Sequence, residues 1–90
     1  MNMNELDNCR KKIDEIDAEM KRLFVCRMKV AEEIAKIKKK KGLPIYQPER
    51  EVFILEKRSE GLDGEMKQLY ISFLKQILTL SKEHQKNNEE

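Results

Sequence analysis

Residues 5–41 read ELDNCRKKIDEIDAEMKRLFVCRMKVAEEIAKIKKKK, a run without glycine or proline. Steps of three and four from Leu6 trace one stripe whose apolar members are Leu6, Ile13, Met20, Phe24, Ala31 and Ile34, with polar residues at the remaining steps. That is the period of an amphipathic helix. Ile16, Leu23, Met28, Ala35 and Ile37 widen the stripe. The spacing predicts a first helix over about residues 5–40, far longer than an ordinary globular helix. Gly42 and Pro44 end it, as a glycine after the last turn and a proline just beyond it should.

Outward from this run, Pro48 suits the first position of a second helix, read over residues 48–59, with Val52, Ile54 and Leu55 as its apolar contacts. Gly61 stops it. Asp63 is placed to cap a third helix over residues 64–85, which carries Met66, Leu69, Tyr70, Phe73, Leu74, Ile77, Leu78 and Leu80. The tail from Lys86 to Glu90 is polar and is expected to fray. There is neither a strand pattern nor a repeat. The fold class read from these patterns is all-α, one single domain over residues 1–90 with one long and two shorter helices.

Two short helices cannot cover so long a partner. The first helix therefore has apolar surface left over, and a symmetric homodimer of intertwined helices is the simplest closed solution. Composition agrees: 40% of the residues are charged and 39% hydrophobic, a lean core for a lone small domain.

Three cations stand on the apolar stripe, Arg10, Arg27 and Lys38, with Asp17 as the one carboxylate in strict phase. Arginine and lysine are rarely buried unless paired. Cations facing inward without enough acids point to a pocket for an anionic ligand. Arg27 and Lys38 are separated by roughly 16 Å of helix axis, near enough for two long side chains to grip one small molecule. Arg10 is roughly 25 Å before Arg27 and cannot share that ligand in a straight helix. It can serve the same pocket in a partner chain if two copies run antiparallel. The second helix adds Arg50 and Glu51, the latter in phase with Ile54, Leu55 and Arg58. The third adds Ser81 and Gln85, one turn apart on its inward face.

This polar set has no central histidine, no nucleophile–base pair and no metal cluster; a site of this kind binds and polarises. No metal and no cofactor is expected. His84 is read as exposed, Met20 and Met28 as core fillers, and the lysines from Lys36 to Lys41 as a solvated helix end that suits the dipole. Taken singly, Arg10 also reads as a snorkelling edge residue, Glu51 as half of a surface ion pair and Gln85 as a solvated residue.

A net charge of +2 argues against a strong nucleic-acid binder, and aromatics at 6% argue against a stacking platform for single strands. No stretch approaches the length of a membrane span, and no apolar run follows the N-terminus as in a signal peptide. Cys9 and Cys26 are roughly 25 Å apart on the predicted helix, too far to pair within a chain. They are read as reduced thiols, which predicts a cytoplasmic protein.

The ordered set Arg10-x-x-Ile13-Asp14-x-Ile16-Asp17, Arg27, Ala35-x-x-Lys38, Pro44-Ile45-x-x-Pro48-x-Arg50-Glu51 and Ser81-x-x-x-Gln85 resembles the all-helical chorismate mutases, in their monofunctional form. The resemblance covers about residues 5–86. It implies three helices per chain, an intertwined dimer with two shared sites, and the rearrangement of chorismate to prephenate in Phe and Tyr biosynthesis. It further implies that Arg27, and Arg10 from the partner chain, bind carboxylates. Lys38 and Gln85 would donate to the ether oxygen of the breaking bond. Glu51 would hold the ring hydroxyl, with Arg50 and Ser81 around the ring carboxylate. Gln47 departs from the pattern, standing where many members have Asp.

The reaction suits such residues. Chorismate is a small dianion, which calls for two or more cations. Its rearrangement is unimolecular, so holding the compact conformer and placing positive groups beside the ether oxygen is enough. Two other readings have distinct signatures: a lyase of the same fold acting on isochorismate and releasing pyruvate, and a non-enzymatic helical dimer that binds polyanions in a salt-dependent way.

Overall fold

The computed structural model describes residues 3–88. Three α-helices follow in order: α1, Met3–Lys41; α2, Pro48–Arg58; α3, Gly64–Asn87. The all-α class expected from the periodicity is borne out, with no strand among the described residues. α3 runs two residues beyond its expected end, to Asn87, so the first part of the tail is helical; Glu89 and Glu90 lie outside the described residues.

The stops act as their chemistry requires. After α1, Gly42 takes φ 67°, a left-handed conformation that glycine adopts without strain. Its N–H donates to the Lys39 carbonyl at 3.3 Å, and Leu43 N–H donates to the Lys38 carbonyl at 2.8 Å. This pair of bonds closes the last turn as a Schellman motif. α2 opens on Pro48. It ends where Ser59, only 1% exposed, turns its hydroxyl back to the Leu55 carbonyl at 2.7 Å. Asp63 holds the expected N-cap place of α3 with extended backbone, yet its side chain makes no capping bond.

The chain divides into two compact units, one up to Val30 and one from Ala31 onward. In the first, α1 presents Ile13, Ile16, Met20, Leu23, Phe24, Val25 and Val30 as exposed side chains. Met20, read as a core filler, is half exposed within the single chain and belongs to this uncovered row. Glu19 and Arg22 pair across one turn, both well exposed, a contact of small energetic weight.

The second unit holds the buried side chains. Ala31, Ala35, Ile54, Leu74 and Leu78 form its apolar core, with Ser59, Ser81 and Gln85 as buried polar groups. α2 packs on α3. Ala31, Ala35 and Lys38 keep one helical face, spaced four and three; Leu74, Leu78, Ser81 and Gln85 do the same on α3. Alanines on the α1 row allow close approach of a neighbouring helix. Only two of the eight apolar residues anticipated on α3, Leu74 and Leu78, are fully buried; Met66, Leu69, Phe73 and Leu80 are exposed.

Candidate active site

Lys38 is the centre of the second unit's polar cluster. It follows the buried Ala31 and Ala35 on their helical face and is itself half-buried. Its Nζ donates to the Ile45 carbonyl at 2.7 Å and to Gln85 Oε1 at 2.9 Å. An ammonium has three donors, so one remains for a ligand. Burial holds the Lys38 pKa below the usual lysine value, because the charged form loses hydration; the nearby Glu51 carboxylate opposes that shift.

Gln85 is 6% exposed and Ser81 7%. Lysine can only donate, so the bond to Lys38 identifies the Gln85 oxygen as the atom facing Nζ. The amide nitrogen then faces Ser81 and donates to its Oγ at 3.4 Å. The one-turn spacing that placed Ser81 and Gln85 on an inward face is realised, and no buried side-chain polar atom is left without a partner among the described residues.

Glu51, on the first turn of α2, is half-buried and its Oε2 lies 3.0 Å from Lys82 Nζ. That ammonium also sits 4.6 Å from the centroid of the Tyr46 ring. Arg50 is exposed and places its guanidinium 5.2 Å from the Phe53 ring centroid, on α2's own surface. The structure therefore joins Lys38, Gln85 and Ser81 directly, and puts Glu51 within electrostatic reach of Lys38. Arg50 is turned to Phe53 instead. Arg10 and Arg27 belong to the first unit, where Arg10 is exposed and Arg27 half-buried.

Three participants were not read from the sequence. Lys82 lies one turn beyond the buried Leu78, a step of four that could have marked it as inward-facing. The Ile45 carbonyl is a backbone group, invisible to side-chain patterns. His84, expected to be exposed, is half-buried and its Nε2 lies 3.0 Å from Glu32 Oε1, tying α3 to α1. His84 lies near the third-helix stripe, four residues after Leu80 and seven after Ile77, a spacing that could have marked it as partly inward.

Chemically, the cluster offers an ammonium with a donor to spare, a carboxylate, an amide and a hydroxyl. No three His, Cys, Asp or Glu side chains converge as metal ligands among the described residues. Such an arrangement can bind an anion and hold charge that develops on an oxygen.

Comparison with known proteins agrees with this chemistry. Residues 9–86 match the family described as chorismate mutase type II. The chorismate mutase of Methanocaldococcus jannaschii is 42% identical over 55 residues, which make up 61% of this chain and 56% of that protein. The bifunctional chorismate mutase/prephenate dehydratase of Aquifex aeolicus is 53% identical over 55 residues, 61% of this chain and 15% of that one. The T-protein of Haemophilus influenzae is 41% identical over 56 residues, 62% of this chain and 15% of its own length. The matched segment spans less than two thirds of each of these relatives. With a family match over nearly all of its length, the chain belongs to the type II chorismate mutases.

Proposed function

We propose that this protein catalyses the rearrangement of chorismate to prephenate, on the route to Phe and Tyr, as a homodimer with two shared sites. The observation that carries this reading is the half-buried Lys38 ammonium, held by the Ile45 carbonyl and the Gln85 amide with one donor unspent. A fixed cation of this kind stabilises an ether oxygen as the bond to it breaks, and does so without reorganising during the reaction. Family membership narrows the anion to chorismate or a near relative.

The remaining roles are those that the family resemblance implies. Arg27 and, in the dimer, Arg10 of the partner subunit take the two carboxylates. Gln85 supplements Lys38 at the ether oxygen, Glu51 accepts from the ring hydroxyl, Ser81 flanks the ring carboxylate, and Arg50 joins it there by leaving the Phe53 ring. The exposed apolar row Ile13, Ile16, Met20, Leu23 and Phe24 supports the dimer: an isolated helix owes little of its stability to propensity, and a row of this kind calls for a partner. No helix among the described residues is long and apolar enough to cross a membrane. Cys9 and Cys26 are free and exposed, a state that suits the reducing cytoplasm.

Loss of chorismate absorbance with purified protein, with prephenate identified as the product, is the test. Pyruvate released from isochorismate would assign the lyase reaction instead. Absence of turnover together with salt-sensitive binding of polyanions would leave a non-enzymatic helical dimer.

A further inference from the structure

Lys82 is the second lysine of the site region and has no part in the roles assigned above. Its ammonium is fixed from two sides, by Glu51 Oε2 at 3.0 Å and by the Tyr46 ring at 4.6 Å. The first contact ties α3 to α2; the second ties α3 to the segment between α1 and α2. Residue 45 of that same segment accepts from Lys38. Two lysines from two helices thus hold neighbouring residues, Ile45 by its carbonyl and Tyr46 by its ring.

An ordinary surface ion pair is worth little, because water competes and two side chains must be ordered. This one differs in two respects. Both side chains are half-buried, at 31% and 23% exposure, so the field between them is less screened. The aromatic face also restrains the ammonium independently of the carboxylate. The ordering cost therefore falls on a lysine already held, and the pair directs the carboxylate.

We propose that Lys82 is a positioning residue for Glu51: it pins Oε2, leaves Oε1 to a ligand hydroxyl, and offsets the carboxylate charge that would repel a dianion. The ligand part of this inference rests on the reading of the site as one for a hydroxylated ring dianion. Counting the fixed charges shows why the offset matters. Lys38, Glu51 and Lys82 sum to one positive charge; without Lys82 they sum to zero. Glu51 would then act on Lys38 and on the incoming anion unopposed.

The groups around Glu51 are Lys82 from α3 and Lys38 from α1, with Arg50 beside it on α2 turned to Phe53. The neighbouring His84 is engaged with Glu32. Each change in charge has a definite sign at Lys38. Removing Lys82 strengthens the hold of Glu51 and raises the Lys38 pKa. Removing the Glu51 charge lowers it.

The experiment combines kinetics with NMR titration of the Lys38 side chain in wild type, Lys82→Met, Lys82→Arg, Glu51→Gln and the double variant Glu51→Gln/Lys82→Met. Lys82→Met should raise KM by about tenfold with a smaller fall in kcat, as expected for a lost electrostatic contact to a charged ligand. Lys82→Arg should restore KM to within about twofold of wild type, since it keeps the charge. Lys38 should titrate higher in Lys82→Met and lower in Glu51→Gln. If Lys82 acts through Glu51, the double variant should match Glu51→Gln at Lys38. An unchanged KM and an unmoved Lys38 titration in Lys82→Met would overturn the proposal. So would a double variant whose Lys38 titrates clearly above that of Glu51→Gln, because Lys82 would then act on Lys38 directly. Should Lys82→Met lose its helical circular dichroism, the double variant, which leaves no unpaired charge, carries the comparison. A wild type that never consumes chorismate would refute the assigned reaction, while the titration arms would still judge the role of Lys82.

Discussion

The Nζ of Lys38 donates to Oε1 of Gln85 across 2.9 Å, joining residues forty-seven positions apart. This bond orients the Gln85 amide, and with it the donor that faces Ser81. Because lysine accepts nothing, the amide cannot flip without losing the contact. Lys38 and Gln85 thus act as one preorganised unit, and the expected behaviour of several variants follows from it.

Lys38→Ala should lower kcat by about 100-fold or more with a smaller change in KM, on the scale of a lost oxyanion donor. Lys39→Ala and Lys40→Ala, at exposed positions of the same lysine run, should remain within about twofold of wild type on the same scale. Steady-state kinetics on the three variants decides the matter. A greater loss at Lys39 would move the assignment to that residue.

Activity should fall on the alkaline side as Lys38 loses its proton, beginning below the ordinary lysine range because burial has lowered its pKa. Glu51 opposes that shift, so Glu51→Gln should bring the alkaline fall to still lower pH. The sign for stability is also definite. Between the lowered folded value and about 10.4 in the unfolded chain, the unfolded state binds more protons. Stability contributed by this group therefore rises with pH through that window. A pH–rate profile and denaturant melts at several alkaline pH values measure the two effects; an alkaline limb that Glu51→Gln leaves in place would show that Lys38 does not set it.

Gln85→Glu exchanges an amide for a group that donates only when protonated. At neutral pH the carboxylate should pair with Lys38 and offer nothing to the ether oxygen, so the variant should be poor. Its rate should climb as pH falls toward the carboxyl pKa, about 4.3 before burial and the neighbouring cation act on it. Wild type should show no such acid-side gain. A variant profile parallel to wild type would remove Gln85 from the ether oxygen.

Arg10→Ala and Arg27→Ala should each be nearly inactive alone. Mixed and allowed to exchange subunits, they should regain activity, since one of the two sites of a heterodimer keeps both arginines. Exchange can be followed by native mass spectrometry. Exchange without recovered turnover would sink the shared-site dimer.

Ala35 is 1% exposed and one turn before Lys38. Ala35→Leu should cost about 1–3 kcal/mol of stability, the usual penalty for inserting methylenes into a packed site. Urea denaturation gives the number. The same change at the exposed Lys36 should cost far less.

The helices of this protein were determined locally. An unbroken 3.6-residue period marks α1, and Gly42, Pro44, Pro48 and Gly61 punctuate the rest through their backbone chemistry alone. Phase along a helix also selects which side chains share a face, so the inward placement of Lys38, Ser81 and Gln85 was legible from spacing. What tertiary structure decided was which faces meet and at what offset. That Lys38 reaches the Ile45 carbonyl, that Lys82 rather than another cation takes Glu51, and that His84 meets Glu32 depends on the approach of separate segments. Periodicity carries no information about that approach. Long side chains make the difference acute: a lysine spans several ångströms, so the partner it finds is set by the register between helices and not by its own place in the sequence.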